Sequence, residues 1–487
     1  MPMTQHRVGV APARAQATAQ QPEAVGAIGR DRRRGPVPGG SGFIAASVAL
    51  ALVAAAVAAS AVWGWQLERV GGDLHLSGGA PLKGPIDWRV SPAVVAPLLV
   101  AGAAIGLMPL AARRLHWAAL VALSGLAATV WAVALAATDD LPALAAPLER
   151  RFDYLHDVPR VDDVGGVLRS FTAHVRDGSP GFQWTTHVGG HPPGALLTFV
   201  GLARLGLGGA GWAAAFCIAV GASAVPAVLI TVRELAGERV ARRVAPFVAL
   251  SPLALWVATS ADAFFCAVAA WGVCCLAMAA GRTGLRGDTL ALAGGVVLGA
   301  SLFLSYGLIL MAPVAVAVVA IRRRVRPLLV GAVGVGVVVA AFFALGFWWL
   351  EGLSAAAERV RDGAAWQDRP TSYFLVANVA ALAIATGPAT VAGLATLWRR
   401  RSSTGGAVSW TAGPLRAAVV LPVAALSAVA VGFASNLSKG EVERIYLPFS
   451  VWLLVAAGAL LGSGRRWWLA AQVVLAVVVQ LGWRLRW

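Results

Sequence analysis

Thr138-Asp139-Asp140, Arg150-Arg151-Phe152-Asp153-Tyr154-Leu155 and His187-Val188-Gly189-Gly190-His191-Pro192-Pro193-Gly194 mark the start, middle and end of one stretch, the longest polar interval in the chain. Carboxylates, arginines, histidines and aromatics gather here and are scarce in the sequence around it. Apolar runs long enough to cross a bilayer flank it on both sides and recur along the chain. The chain therefore reads as a bundle of membrane helices with its chemistry in a loop at the helix ends.

Composition agrees. Of 487 residues 58% are hydrophobic and 13% charged, whereas soluble domains carry about 25% charged residues. The net charge of +17 raises the question of a nucleic-acid partner, but the positions of the charges exclude one. Basic residues form short clusters between apolar runs, at Arg30 to Arg34, Arg113-Arg114, Arg242-Arg243, Arg322-Arg323-Arg324, Arg399-Arg400-Arg401 and Arg465-Arg466. That spacing is the positive-inside pattern of cytoplasmic loops, and anionic headgroups would attract the same clusters. Cys217, Cys266, Cys274 and Cys275 lie inside apolar runs without metal-ligand spacing and read as small core residues. Residues 1–40, rich in Ala, Gln, Pro, Gly and Arg, read as a disordered basic cytoplasmic tail rather than a cleavable signal.

The remainder, 41–487, reads as one all-α polytopic transmembrane bundle. Apolar periodicity places spans at roughly 43–65, 93–111, 116–137, 211–232, 244–258, 262–281, 289–305, 307–321, 328–350, 374–397, 415–434, 445–462 and 467–483, about thirteen in all. With the N-terminus cytoplasmic, alternation of sides puts most arginines inside, in a plasma (inner) membrane. Counting 193–207 as a span would move Arg233, Arg239, Arg242 and Arg243 outside, so this stretch reads as an interfacial helix starting at Pro192-Pro193. The main outer loop is then 138–192, with further outer loops at 66–92, 351–373 and 435–444.

Five groups of residues in these loops and between the spans suit chemistry at headgroup depth. Loop acids, among them Asp139, Asp140 and Asp153, can serve as general base toward an acceptor hydroxyl; a solvated loop whose acids balance nearby arginines is the plainer reading of each alone. His191, with His187 four residues earlier, stands before a helix start where donors can meet an anionic oxygen. Asp262, in Thr259-Ser260-Ala261-Asp262-Ala263 between two spans, must face water, protein or substrate rather than lipid, or cap the following helix. Lys439 and Arg444 lie on the outside against the basic bias, where they can hold a phosphate or pair locally with Glu441 and Glu443. Trp366 and Tyr373 offer sugar contacts or interfacial anchoring. No Walker A motif and no glycine-rich strand-to-helix turn is present.

A span, a large acidic outer loop, His191-Pro192-Pro193, a later span ending in Arg233-Glu234-Leu235-Ala236-Gly237-Glu238-Arg239, then Leu250-Ser251-Pro252 and Ala261-Asp262-Ala263 form a pattern that resembles the GT-C superfamily of integral-membrane glycosyltransferases. Protein O-mannosyltransferases and lipid A aminoarabinose transferases are examples. Arg444-Ile445-Tyr446-Leu447-Pro448-Phe449 is similar to their late Tyr/Leu-Pro segment. The resemblance covers roughly 116–281 best. It implies a GT-C-like bundle, a polyprenyl-phosphate sugar donor, a lipid or glycan acceptor, and a loop acid that acts as base or positions a divalent metal. Asp139-Asp140 stands where the family has Asp-Glu. Asp153, followed by Tyr154 on the substrate side, is the competing match because its interval to His191 is nearer the usual one. His191 would match the His of His-Pro-Pro, and Asp262 the acid after the Ser-Pro turn. The rival expectation is a lipid or solute transporter or flippase, which places ionisable residues near mid-bilayer on broken helices; a noncatalytic scaffold is a third.

Overall fold

Where no water reaches the backbone, each segment must satisfy its own N–H and C=O groups, and the α-helix does so locally. The computed structural model describes residues 40–138, 142–176, 178–179, 181–258, 260–403, 416–460 and 464–485. The expected tail and Asp139 and Asp140 lie outside them. Among the described residues the chain is helical with no strand; an isolated bridge joins Ile86 to Trp483.

In chain order, α1 is Gly40–Arg69, α2 Val95–Arg114, α3 Trp117–Ala136, α4 Pro193–Arg204, α5 Ala210–Ala222, α6 Ala224–Ala236, α7 Glu238–Ala249 and α8 Asp262–Ala280. Then follow α9 Gly284–Leu302, α10 Arg326–Ala344, α11 Trp349–Asp362, α12 Thr371–Thr386, α13 Pro388–Ser403, α14 Arg416–Ala434, α15 Leu447–Leu453 and α16 Arg465–Gly482. Apolar side chains on α1, α2 and α10 remain exposed, with Leu52 at 67%, Leu99 at 68% and Val333 at 60%. A fold that leaves long apolar faces uncovered is that of a helical membrane protein. Inside, hydroxyls bond carbonyls one turn back, as Thr231 does to Ala227 and Thr390 to Thr386. Where α9 meets α10, a Cβ on Gly295 would fall 1.9 Å from the Gly331 carbonyl oxygen, so the absence of side chains is what lets these backbones touch.

Among the described residues eight helices are long and apolar enough to cross a membrane, or nine if α12 and α13, bent by 103°, form one span. Most of the excess in the thirteen expected has a physical reason: apolar composition persists through breaks that composition alone does not register; the exception, 467–483, is the unbroken α16, which opens on Arg465-Arg466 and carries Gln472 and Gln480. The stretch 244–258 is divided into α7 and Ala254–Val257 around Ser251-Pro252, where proline supplies no N–H to continue the helix. The stretch 307–321 opens as a 3₁₀ turn over Tyr306–Met311 before Ala312–Arg322, and 445–462 is broken into Val442–Ile445, α15 and a 3₁₀ stretch. The helix α4 has 12 residues, about 18 Å, well short of the roughly 30 Å hydrocarbon core.

The loop before α2 is fastened to the end of α16. Asp87 N–H donates to the Gly482 carbonyl and Arg89 N–H to that of Leu481, while Trp483 Nε1 donates to Gly79. Gln480 reaches Thr138, at the mouth of the main loop, at 2.8 Å. The ends of α3 and α16 and the start of α2 therefore meet at one end of the bundle. Arg465 and Arg113 occupy the other ends of α16 and α2.

Candidate functional site

The described part of the 142–192 loop holds 3₁₀ turns, a four-residue helix, Thr186–Gly189, and a seven-residue helix, Val164–Ser170, which Asp163 caps through the Gly165 and Gly166 N–H groups. Asp157, 1% exposed, accepts from Thr185 N–H and pairs with Arg160 at 3.0 Å, so this acid ties 153–160 to 184–187. Arg359 of α11 lies over Gly189 and donates to the Val175 and Trp184 carbonyls. The helix α11, in the stretch expected as an outer loop over 351–373, thus packs on the main loop.

That framework presents a carboxylate–imidazole pair. Asp153, 5% exposed, accepts Tyr154 N–H on Oδ1 at 2.7 Å and faces His187 Nδ1 through Oδ2 at 3.0 Å. A carboxylate at Nδ1 holds the ring proton there and leaves the lone pair on Nε2. The His187 side chain is 22% exposed. The buried acid therefore orients, and the imidazole is presented. His191 Nδ1 donates to the His187 carbonyl at 2.8 Å, so its lone pair also lies on Nε2. Burial pushes His191 down to about 4, against the opposing pull of Asp262. His191 is enclosed by protein yet keeps some accessible surface, the condition of a cleft wall. A neutral ring whose only N–H is committed cannot donate to an anion, which corrects the expected phosphate-binding role of His191 to that of an acceptor.

Tyr154, 2% exposed, stacks on Phe199 of α4 at 5.4 Å and lies 5.9 Å from both imidazoles. His191 packs on Phe265 and Phe199 on Phe264, both in the first turn of α8. The same turn carries Asp262, which Arg444 Nη1 meets at 2.6 Å. Asp262 is thus an ion-pair partner and not a helix cap. Arg444 Nη2 also reaches Glu441 at 3.1 Å. Burial opposes the Arg444 charge, but Asp262 and Glu441 outweigh it and hold the guanidinium above its usual range. Burial raises Tyr154 well above the usual phenol range, and the Asp262 and Asp153 charges add to it. The imidazoles, Tyr154, Asp262 and Arg444 hence share one electrostatic neighbourhood.

Glu441 is the hinge to a second cluster. Burial disfavours its charge, yet Lys83, Arg444 and Arg369 together hold it far below the usual carboxylate range. Arg369 donates to the Leu74, Lys439 and His75 carbonyls. Lys439 donates to the Trp366 and Arg369 carbonyls, both at 2.9 Å, and sits 4.0 Å over the Trp366 ring. Trp366 Nε1 is bonded to the Asn436 carbonyl. Tyr373 is 0% exposed, packed edge-on against Trp63 at 5.4 Å. Three expectations are corrected here. Lys439 is held by backbone oxygens, Trp366 forms part of the same knot, and the Tyr373 ring is fully buried rather than presented at the surface.

Missed in the sequence were Lys83 and Arg369 as members of this network, whereas Glu441, expected as a local partner, does pair with Arg444. The rarity of lysine, present only as Lys83 and Lys439, was the available signal. Glu443 is fully buried, and the backbone at Glu443 and Lys83 only partly offsets that burial. Burial, reinforced by Glu441, pushes it up to about 7. Beside Tyr154, an apolar crevice of about 180 Å³ is lined by Leu155, Val158, Phe199 and Leu202. Among the described residues no three His, Cys, Asp or Glu side chains group as a metal site. The four cysteines are free, three of them buried.

No family model matches this chain, and no curated protein or solved structure matches it either.

Proposed function

We propose that this protein is a GT-C-like glycosyltransferase of the plasma membrane. It moves a sugar from a polyprenyl-phosphate donor to a lipid or glycan acceptor at the outer face. The observation that carries this reading is the Asp153–His187 pair at 3.0 Å, which presents a partly accessible imidazole beside His191, itself within electrostatic reach of Asp262 and Arg444. His187 Nε2 takes the proton of the acceptor hydroxyl, the oxygen forms its bond to the anomeric carbon, and the bond from that carbon to the phosphate oxygen breaks. The pair of electrons leaves with the polyprenyl phosphate. Arg444, shared between Asp262 and Glu441, is the cation suited to the charge that develops on the leaving group. The crevice beside Tyr154 supplies apolar wall next to this chemistry, as a lipid-linked donor requires. Asp139 and Asp140 stay in the proposal as acids that would join the site as base or as holders of a divalent metal.

The test is transfer of labelled sugar from a polyprenyl-phosphate donor in reconstituted vesicles, with His187→Gln and Asp153→Asn beside the wild type. Absence of transfer, or full transfer in both variants, ends this reading.

One observation favours the transporter or flippase instead, the 103° break between α12 and α13, since transporters place substrate sites at broken helices. Around Gly387 at that break lie Pro252 and Gln472, whose Nε2 donates to the Phe247 and Leu250 carbonyls while its buried Oε1 has no hydrogen-bond partner. No ionisable side chain enters those contacts, so the enzyme reading is preferred. Movement of a labelled lipid across the same vesicles without sugar transfer would reverse that preference.

A further inference from the structure

Far from the imidazoles, at the opposite ends of α2 and α16, is a cavity of about 570 Å³. Three separate segments of the chain send arginines to it: Arg113 lies in the last turn of α2, Arg239, Arg242 and Arg243 lie in α7, and Arg465 and Arg466 open α16. Ordinary positive-inside charge sits on loops and points into water. Here sequence-distant guanidinium groups line one concave space, and its apolar wall is Phe247 and Leu469.

Two of the six hold the cavity together. Arg242 pairs with Glu238 at 2.6 Å and donates to the Ala112 and Leu115 carbonyls, fastening α7 to the end of α2. Arg465 donates to the Arg243 carbonyl at 2.6 Å and lies 5.7 Å from the centre of the Phe247 ring, while its Nε is buried without a hydrogen-bond partner. Burial, then the charges of Arg243 and Arg113, push Arg465 below the usual guanidinium range. Arg113, Arg239, Arg243 and Arg466 have no carboxylate within ion-pair distance among the described residues. Glu238 is thus the one acid engaged there, and it is shared between Arg242 and Arg233. Gathering that much like charge in a concavity is unfavourable unless an anion completes it, and guanidinium forks match phosphate oxygens in pairs.

We propose that this cavity is a binding site for a phosphate-bearing anion, separate from the site of sugar transfer and independent of it. The phosphate belongs either to an anionic lipid headgroup or to a soluble phosphate compound, and the arginines recognise the group the two have in common.

The full chain in nanodiscs tests this in two arms. In phosphatidylcholine discs, inorganic pyrophosphate is titrated and thermal unfolding is followed. In discs containing phosphatidylglycerol, the lipids retained on release are counted by native mass spectrometry. We expect stabilisation in the first arm or specific retention in the second, weakened at least tenfold in Arg243→Gln/Arg466→Gln and unchanged in Arg322→Gln/Arg323→Gln, which removes equal charge outside the cavity. Arg113→Gln, at the exposed rim, gives a milder loss in the same direction should the double variant fold poorly. A response in the first arm alone assigns a soluble phosphate, and in the second alone a headgroup. No response in either arm, or equal loss in the cavity and control variants, overturns the site.

Discussion

Two knots of charge meet at Glu441, and the sequence nominated residues from both as one site. Around Arg444 the partners are side chains: Asp262 at 2.6 Å and Glu441 at 3.1 Å, with Tyr154 and the two imidazoles beside them. Around Lys439 the partners are backbone carbonyls, those of Trp366 and Arg369, and Arg369 in turn holds the carbonyls of Leu74, His75 and Lys439. A cation bonded to carbonyls fixes the path of loops; a cation bonded to carboxylates beside open imidazole nitrogens sets the field in which a reaction runs. The first cluster is therefore where substitutions should change chemistry, and the second where they should change stability alone.

The sharpest way to break that contrast is to remove the presented base. His187→Gln should lower the rate of transfer by about 10²–10⁴-fold, the usual span for a positioned general base. Asp153→Asn should lower it less and alter the pH profile, because the amide leaves the ring in place without fixing its proton. Steady-state rates across pH for both variants, at matched amounts of folded protein, check this. Equal rates in His187→Gln and wild type would erase the distinction between the clusters.

Next in size is the buried ion pair. Arg444 and Asp262 are 7% and 4% exposed, and Arg444→Met should cost about 3–5 kcal/mol by leaving carboxylates without their partner. Arg444→Met/Asp262→Leu should recover much of that stability and none of the activity. Chemical unfolding in detergent, with transfer measured alongside, separates the two effects. Recovery of both together would make the pair a mere strut.

The two clusters were unequally legible beforehand. The bundle follows from apolar runs, and so do the polar loops at its ends. Asp153, His187, His191, Asp262 and Arg444 stood out because ionisable groups are few, and the structure gathers them. Tertiary choice of partner is what local sequence does not contain. Lys439 has Glu441 two residues away and takes carbonyls of a loop some seventy residues distant instead. His191 looks like a donor until its N–H is found on the His187 carbonyl. The count of spans was overestimated because Ser251-Pro252 and Gly387 interrupt helices inside stretches that stay apolar throughout.

A third experiment tests the seam between the clusters through Glu443. Its carboxyl is pushed up from 4.5 to about 7 by burial. The folded protein then binds this proton more tightly than the unfolded chain does. The associated stability is fully present below about pH 4.5 and is lost as pH rises through about 7, an effect on the order of 3 kcal/mol. Glu443→Gln, which cannot ionise, should remove this slope while keeping the shape of the side chain. Thermal unfolding of both proteins between pH 4.5 and 8 reads the difference; parallel curves would mean the acid is solvated or paired.

The smallest expected effect is the most discriminating for the second cluster. Lys439→Met keeps the length and apolar stem of the side chain but removes two charge-assisted bonds and the cation over Trp366. Net loss should be about 1–3 kcal/mol, since each bond replaces one to water in the unfolded chain. Because the carbonyls of Trp366 and Arg369 lose their donor at the same time, loosening should concentrate in 366–369 and 436–440, where amide hydrogen exchange can detect it. Turnover per folded molecule should stay within about threefold, on the view that Lys439 adds to the field around Glu441 without touching the reacting atoms. A fall of a hundredfold in turnover with stability intact would place Lys439 on the leaving phosphate and merge the two clusters into one site.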